Sequence, residues 1–245
     1  MIVWFTIEAT CPACGNRIRL REVGSGFALG QDSDLLLRMD GKHLIQVEVH
    51  TCSRCHFSGY AADFHRDLLP QTVRRFLDEV SPTLVEGGPP LMETRSDPGR
   101  TPLPDIQYYW AYRTASAVGL SAIEEGERLL RAYWCLRIPP SANLPPVTLR
   151  KRKRLYLNGA IRKLRKGLQS ASDRNFVYLI GELCRRNKNF LLSKRYFRRF
   201  LDREPGARYL KHAASKLLRA AAEGISQEMS MEELLYDNTP GSSAR

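Results

Sequence analysis

Apolar and polar positions along the chain follow two different periods, and the period changes near residue 100. In the first block, the stretches 17–23 (RIRLREV) and 43–50 (HLIQVEVH) alternate with a period of two, which predicts β-strands. The Gly-, Ser- and Asp-containing stretch 24–34 supplies turn residues between them. The block closes on apolar residues that share one helical face: Val73, Phe76, Leu77 and Val80.

From residue 106 onward the apolar residues recur at helical spacing. Segments 106–120 and 121–138 predict an antiparallel helix pair with a short turn at Gly119–Ser121. The proline-rich stretch 139–146 interrupts the pattern, and four more helices are predicted between 147 and 224. The sequence therefore predicts a small β-rich part followed by an all-α part.

These patterns divide the chain into four predicted segments. Residues 81–105 contain six prolines and three glycines, which favours a linker over a helix or a paired strand. The predicted organisation is a zinc-ribbon-like module (1–80), this linker, a helical domain (106–224) and an acidic, partly disordered tail (225–245). The predicted fold class is α+β.

One helical pair matches the spacing of a tetratricopeptide repeat, which has a 34-residue period. Small Gly181 and Ser193 would allow two helices to approach closely, while Phe197 would fill the space beside them and Pro205 would end the unit. These offsets predict one such repeat over residues 174–207. The helical domain is therefore expected to consist of tetratricopeptide-like hairpins.

The net charge of +12 is concentrated in one part of the chain. Residues 150–219 carry 22 Lys and Arg against four acidic residues, whereas residues 1–100 carry 11 against 13. This asymmetry favours an acidic partner for the helical domain. A solvated helical surface without a partner is the alternative interpretation.

Four of the six cysteines lie in two Cys-x-x-Cys pairs: Cys11, Cys14, Cys52 and Cys55. Two such pairs supply four thiolates, the ligand set of a structural zinc site. The 37 residues between the pairs exceed the usual spacing, and a β-hairpin insertion would accommodate them. With four thiolates the site would be closed to water, so a structural role is expected.

Other chemistries remain open for these cysteines. Iron would accept the same thiolates, a disulfide pairing would suit an oxidising compartment, and a redox dithiol would suit a βαβ context. His56 directly follows Cys55 and would replace one ligand, or lie beside the site. Cys135 and Cys184 lie among apolar neighbours and are expected to pack in the core.

The sequence lacks the signatures of common active sites and of membrane insertion. It has no phosphate-binding loop, no nucleophile elbow and no His-Glu-x-x-His motif, so no enzymatic activity is expected. It has no secretory signal pattern and no apolar run of about 18 residues. A cytoplasmic protein without a membrane span is expected.

The cysteine motifs and two later motifs together resemble an uncharacterised bacterial family, domain of unknown function 2225. The matching stretches are CPACG (11–15), CSRC (52–55) with GYAADF (59–64), AYWCLR (132–137) and YLIGELCRR (178–186). The residues HFS between Cys55 and Gly59 depart from the family pattern. The resemblance implies a metal-binding part and helical repeats, and it implies no activity.

Two functions are expected from these features. The first is a non-enzymatic scaffold or adaptor that binds an acidic segment of a partner protein. The second is nucleic-acid binding through the basic helices and the zinc ribbon. The residues expected to contact the protein partner are Arg185, Arg186, Arg195, Arg198 and Arg199.

Overall fold

The computed structural model describes residues 3–25, 28–39, 44–86, 102–168, 174–202 and 208–236. The chain forms two compact units, and the bounds of neither coincide with those of the predicted segments. The first unit contains residues 1–27 and 41–167, and the second contains residues 28–40 and 168–245. The second unit is thus assembled from a short insertion near the N-terminus and from the C-terminal third of the chain.

The strands pair in antiparallel twos within the described residues. They are β1 (Val3–Thr10) with β2 (Arg17–Ser25), β3 (Ala28–Gln31) with β4 (Leu37–Met39), and β5 (Val49–Thr51) with β6 (Ser58–Tyr60). The sheets β1–β2 and β5–β6 belong to the first unit, and β3–β4 belongs to the second.

The helices follow the predicted order closely. They are α1 (Pro70–Arg75), α2 (Ser81–Glu86), α3 (Pro104–Ala117), α4 (Ala122–Cys135), α5 (Pro146–Gly167), α6 (Arg174–Arg186), α7 (Phe190–Leu201), α8 (Arg208–Ala222) and α9 (Met231–Leu235). None of the described helices is both long enough and apolar enough to cross a membrane.

Two local predictions in the first unit are wrong. The stretch 43–50 was expected to be one strand, but Leu44–Gln46 forms a 3-10 turn before β5 begins. Ile45 and Val49 are buried, whereas Val47 between them is only partly buried, so the alternation that a continuous strand would show is interrupted. The tight β5 pairing begins only after this turn.

The predicted linker begins later than residue 81. A π-helical turn at Phe76–Val80 joins α1 to α2 without a break, so the helix reaches Glu86. Pro82 directly follows the π-helical turn, where the regular helical hydrogen bonds are already shifted, and Leu84 is only 2% exposed. Burial of Leu84 therefore favours a helix over residues 81–86, which were predicted to be part of a linker because of the prolines in 81–105. Residues 87–101 of the predicted linker lie outside the described part.

The helices α3, α4 and α5 complete the first unit. Ser121 caps α4 by accepting a hydrogen bond from the backbone N–H of Glu124, whose side chain bonds back to Ser121. Gly119 adopts a positive φ of 77° in the turn between α3 and α4, as its predicted position there requires. The first helical pair is confirmed.

A buried ion pair ties α5 to α3. Arg152 and Asp105 are both fully buried, and the guanidinium donates to the carboxylate at 2.9 Å. The same carboxylate accepts hydrogen bonds from Ser141 and Tyr156. A buried charge requires this degree of pairing, so Arg152 contributes to the interior and not to the basic surface.

In the second unit, the β3–β4 hairpin packs with the C-terminal helices. Tyr178 of α6 donates a hydrogen bond to the carbonyl of Ser33 at 2.9 Å, and Asp32 pairs with Ser230 in a β-bridge. Met231 and Leu234 of α9 are buried. The predicted disordered tail thus contains an ordered helix, while residues 237–245 lie outside the described part.

The predicted close approach within the second unit is confirmed. A methyl group at Gly181 would lie 3.0 Å from the ring of Phe197, and Ser193 is fully buried. The helices α6 and α7 form a hairpin at this point, as the repeat spacing predicted. Pro205, the last residue of that pattern, lies outside the described residues.

Candidate metal centre

The first cysteine pair lies in the tight turn between β1 and β2. The N–H of Cys11 donates to the carbonyl of Asn16 at 2.8 Å, and the N–H of Gly15 donates to the carbonyl of Cys11 at 2.9 Å. Gly15 has a positive φ of 71°, which glycine adopts without steric cost. The backbone N–H groups of Ala13 and Cys14 bond to the sulfur of Cys11.

The second pair repeats this turn between β5 and β6. The N–H of Cys52 donates to the carbonyl of Phe57 at 2.9 Å, and the N–H of His56 donates to the carbonyl of Cys52 at 2.9 Å. His56 takes the place of glycine, with a positive φ of 58°. The extra residues between Cys55 and Gly59 therefore preserve the geometry of the turn, at the cost of a non-glycine residue in a left-handed conformation.

The two turns bring all four sulfurs together. The Sγ atoms of the four cysteines all lie within 4.8 Å of one another. The Sγ atoms of Cys11 and Cys55 are 3.6 Å apart, as are those of Cys14 and Cys52. Tetrahedral coordination with metal–sulfur bonds of about 2.3 Å places sulfurs about 3.8 Å apart, so the cluster fits one metal ion.

The cluster is part of the hydrophobic core of the first unit. Cys11, Cys52 and Cys55 are at most 4% exposed. The ring of Phe57 packs edge-on against Phe64 and Phe76, with centroids 5.3 and 5.4 Å away. This arrangement leaves little room for water or substrate, which is typical of a structural site.

Hydrogen bonds from the surrounding elements fix the second turn. The hydroxyl of Ser81 donates to the carbonyl of Cys55 at 2.8 Å, and the N–H of Ser58 donates to the hydroxyl of Thr114 at 3.2 Å. These bonds connect the turn to α2 and α3. The predicted boundary at residue 80 therefore divides elements that pack together around the cysteines.

Charge repulsion explains why the four thiols need a cation. Hydrogen bonding with Cys52 raises the pKa of Cys11 to about 12, and hydrogen bonding with Cys11 raises the pKa of Cys55. The same interaction with Cys11 lowers the pKa of Cys52. Four thiolates at this distance coexist only when a bound cation neutralises them.

The remaining histidine and cysteine candidates do not join the cluster. His56 packs edge-on against Trp110, with centroids 5.1 Å apart, so it lies beside the site and supplies no fifth ligand atom to the group. Cys135 and Cys184 are fully buried on α4 and α6, and burial raises the pKa of Cys135. None of the six cysteines forms a disulfide, and the two isolated ones pack in the core as predicted.

Two of the five predicted partner-binding arginines are in the interior of the second unit. Arg185 is fully buried and donates to both oxygens of Glu182 at 2.7 Å. It also donates to the carbonyls of Ile225 and Gln227. Arg185 therefore ties α6 to the segment before α9, and the expectation that it is exposed to a partner is corrected.

Arg186 is corrected for the same reason. Its guanidinium donates to Glu182 at 2.8 Å and to the hydroxyl of Ser33 at 3.0 Å, and it forms an ion pair with Asp34 at 3.1 Å. Glu182, Ser33 and Asp34 are fully buried. This network could not be predicted from the sequence because Ser33 and Asp34 precede Glu182 by about 150 positions.

The other three predicted arginines lie on the outer side of α7. Arg195, Arg198 and Arg199 are exposed, whereas Ser193 and Phe197 on the same helix are buried. In the part of the chain that the structure describes, these three arginines form no ion pair. That they bind a partner remains a prediction.

Sequence reasoning missed three residues that support the metal centre. The side-chain amide of Asn16 donates to the sulfur of Cys52 at 3.7 Å and so links one turn to the ligands of the other. Trp110 and Ser81 come from helices far along the chain. Only Asn16, which directly follows the first turn, lies close enough in sequence to have been suspected.

The fold holds a four-cysteine cluster in two β-hairpin turns, the second of which is hydrogen-bonded to α2 and α3. A model of the family described as an uncharacterized protein conserved in bacteria, DUF2225, matches residues 5–223. The chain belongs to this family, as its motifs indicated. No curated protein and no solved structure matches it.

Proposed function

We propose that this protein is a non-enzymatic, zinc-stabilised scaffold that binds a partner protein through a basic helical surface. The observation that carries the proposal is the convergence of four cysteine sulfurs, three of them from buried residues, from two similar turns. It supports a centre that organises the first unit, because a closed thiolate set leaves no coordination position for a substrate.

Zinc is the proposed metal because it favours tetrahedral thiolate sites and requires no redox partner. Iron would fit the same sulfurs. Elemental analysis of protein purified without added metal distinguishes the two metals. The visible spectrum provides a second measurement, since a zinc site is colourless and an iron–thiolate site absorbs visible light. We expect one zinc per chain, and a chain that contains neither metal would end this proposal.

The scaffold part of the proposal is supported by how the second unit distributes its arginines. Glu182 and Asp34 pair with the buried Arg185 and Arg186, while Arg195, Arg198 and Arg199 stay unpaired on the surface within the described residues. A cluster of exposed cations attracts an acidic surface through long-range electrostatics. A cytoplasmic location would keep the cysteines reduced, and we propose it on that ground.

The test is capture of partners from the native cell by the wild-type chain and by a triple variant. Arg195→Glu, Arg198→Glu and Arg199→Glu reverse the surface charge without touching the buried network. We expect the triple variant to lose a protein partner that the wild type retains, and a variant with reversed charge at Arg19 on β2 to retain it. Equal capture by all three would contradict the scaffold proposal.

Nucleic-acid binding is the competing result of the same test. If the triple variant loses retained nucleic acid in place of a protein, the basic surface contacts phosphates. Nuclease treatment of the captured material separates the two results, because a protein partner held through nucleic acid is released by it.

A further inference from the structure

The first unit contains a groove that neither the metal centre nor the arginines of α7 explain. Its volume is about 550 Å³, and helices α3, α4 and α5 line it. Leu129, Leu155 and Gly159 form its apolar lining on α4 and α5. A methyl group at Gly159 would lie 2.8 Å from Leu129, so this glycine allows α4 and α5 to pack closely at the groove.

The rim of the groove is basic. Lys151, Arg154 and Arg162 line it, and all three are exposed. With Asn158 they recur every three or four residues along α5, which places them on one face over about 16 Å of helix. The rim therefore presents three cations in a row beside an apolar floor.

These three cations differ from others on the same helix. Arg152 pairs with Asp105 in the interior, and Lys163 pairs with Glu125. Lys151, Arg154 and Arg162 have no acidic partner among the residues that the structure describes. Their mutual repulsion is relieved when an anionic group binds along the rim.

The opposite wall is formed by two tyrosines of α3 whose ring surfaces are already in use. The ring of Tyr109 packs against Tyr112 and Tyr156, with centroids 5.8 and 5.9 Å away. The ammonium group of Lys163 lies 5.6 Å from the centre of the Tyr112 ring. These rings offer edges and hydroxyl groups to a ligand more readily than a free flat face.

We propose that this groove binds an acidic segment of a partner protein that places one large apolar side chain on the floor and carboxylates on the rim. The inference rests on the proposed scaffold function and names a binding site for it. A peptide is favoured over a nucleic acid because base stacking needs free aromatic faces, whereas an apolar floor needs an aliphatic or aromatic side chain. The volume suits a few residues of a peptide.

A labelled synthetic peptide provides the probe. It consists of one tryptophan flanked on each side by three alternating aspartates and glutamates, and its binding is measured by fluorescence anisotropy at about 0.15 M salt, where distant charges are screened. A peptide with alanine in place of tryptophan and an oligothymidylate of equal charge are measured beside it. We expect the tryptophan peptide to bind at least tenfold more tightly than the other two probes.

Two groove variants and one matched control locate the site. The double variant Arg154→Glu/Arg162→Glu reverses the rim, and Asn158→Trp fills the groove from an exposed position. We expect each to weaken peptide binding at least tenfold. The control Arg150→Glu/Arg165→Glu makes the same charge change on exposed residues of α5 outside the groove, and we expect less than a twofold effect.

Three results would overturn the inference: no binding of the tryptophan peptide, equal loss in the groove variants and the control, or tighter binding of oligothymidylate at the same residues. Circular dichroism and metal content of each variant exclude unfolding as the cause. The α7 triple variant separates this inference from the proposed function. If that variant loses its cellular partner while all chains bind the peptide equally, the scaffold proposal stands and the groove proposal fails.

Discussion

Each of the two compact units contains a polar centre inside its apolar core, but the two centres consist of different chemical groups. The first unit gathers four cysteine sulfurs which, as thiolates, could be balanced by a cation from solution. The second unit gathers Glu182 with Arg185 and Arg186, so the chain itself supplies both signs of charge. The difference predicts that metal availability governs the stability of the first unit and leaves the second unaffected.

The contrast also separates what each centre connects. The cysteines join two turns that are about 40 residues apart in the chain and link them to α2 and α3. Glu182 and its arginines join an inserted hairpin to α6 and to the segment before α9. Each centre therefore closes a long-range connection, for which hydrophobic contacts alone specify no unique register.

The largest expected effect is loss of the metal ligand Cys52. Cys52→Ser leaves three thiolates and should reduce bound metal to well below one per chain. Structural zinc contributes about 10–16 kcal/mol in small domains, comparable to the whole stability of about 5–15 kcal/mol of a typical domain. We expect the first unit to unfold, seen as loss of amide protection in α3 and α4.

The matched control for this prediction is Cys184→Ala, which removes another fully buried cysteine from the second unit. It should retain full metal content. Protection of α6 and α7 should persist in Cys52→Ser, and uniform loss of protection over both units would show that they do not respond independently. Incubation with a strong chelator should reproduce the Cys52→Ser pattern.

The next effect is expected at Glu182. Glu182→Gln leaves the buried Arg185 without a carboxylate and Arg186 with Asp34 alone, and loss of a buried ion-pair partner typically costs about 3–5 kcal/mol. Chemical denaturation should show this loss while the metal content stays unchanged. Glu79→Gln breaks an exposed ion pair with Arg75 and serves as the control, with no measurable change expected. A fall in bound metal in Glu182→Gln would contradict the separation of the two centres.

A smaller effect should distinguish the two cysteine turns. Gly15→Ala introduces a side chain at a positive φ with nothing within 4 Å of the new methyl group, so its cost is purely conformational, about 1–2 kcal/mol. His56→Gly relieves the corresponding conformation but loses the contact with Trp110. Thermal unfolding of the metal-bound chains should therefore show a smaller decrease in the unfolding temperature for His56→Gly than for Gly15→Ala. Equal decreases would contradict this expectation.

The smallest effect is expected on the surface of α7. Arg198→Ala removes an exposed side chain with no partner among the described residues, so the unfolding midpoint and the metal content should both match the wild type. A shift in either would show that Arg198 contributes to the folded structure. Partner capture is then the property in which this variant differs.

Much of the architecture could be predicted because it depends on local patterns. The two Cys-x-x-Cys pairs predicted the four-cysteine cluster, and the helical spacing of apolar residues predicted α3 to α8 within a few positions. Gly181 and Phe197 predicted the contact between α6 and α7. Each of these signals lies within one turn or one helical pair.

The errors came where distant residues decide the outcome. Arg185 and Arg186 looked like surface cations because a basic helix shows no local sign that a carboxylate lies beneath it. Their burial depends on Ser33 and Asp34, which the sequence suggested only as turn residues. Leu84 likewise orders a stretch whose prolines favoured a linker, because it packs into a core that forms from other parts of the chain.

The insertion of residues 28–40 has a consequence for how the protein is made. During synthesis this hairpin, with the buried Leu36 and Met39, emerges well before the rest of its unit, which begins only at residue 168. Along the chain, residues of the first unit precede and follow the insertion. Truncation after Gly167 would therefore leave the 28–40 hairpin without the rest of its unit. To isolate the first unit, residues 28–40 must also be replaced with a short loop.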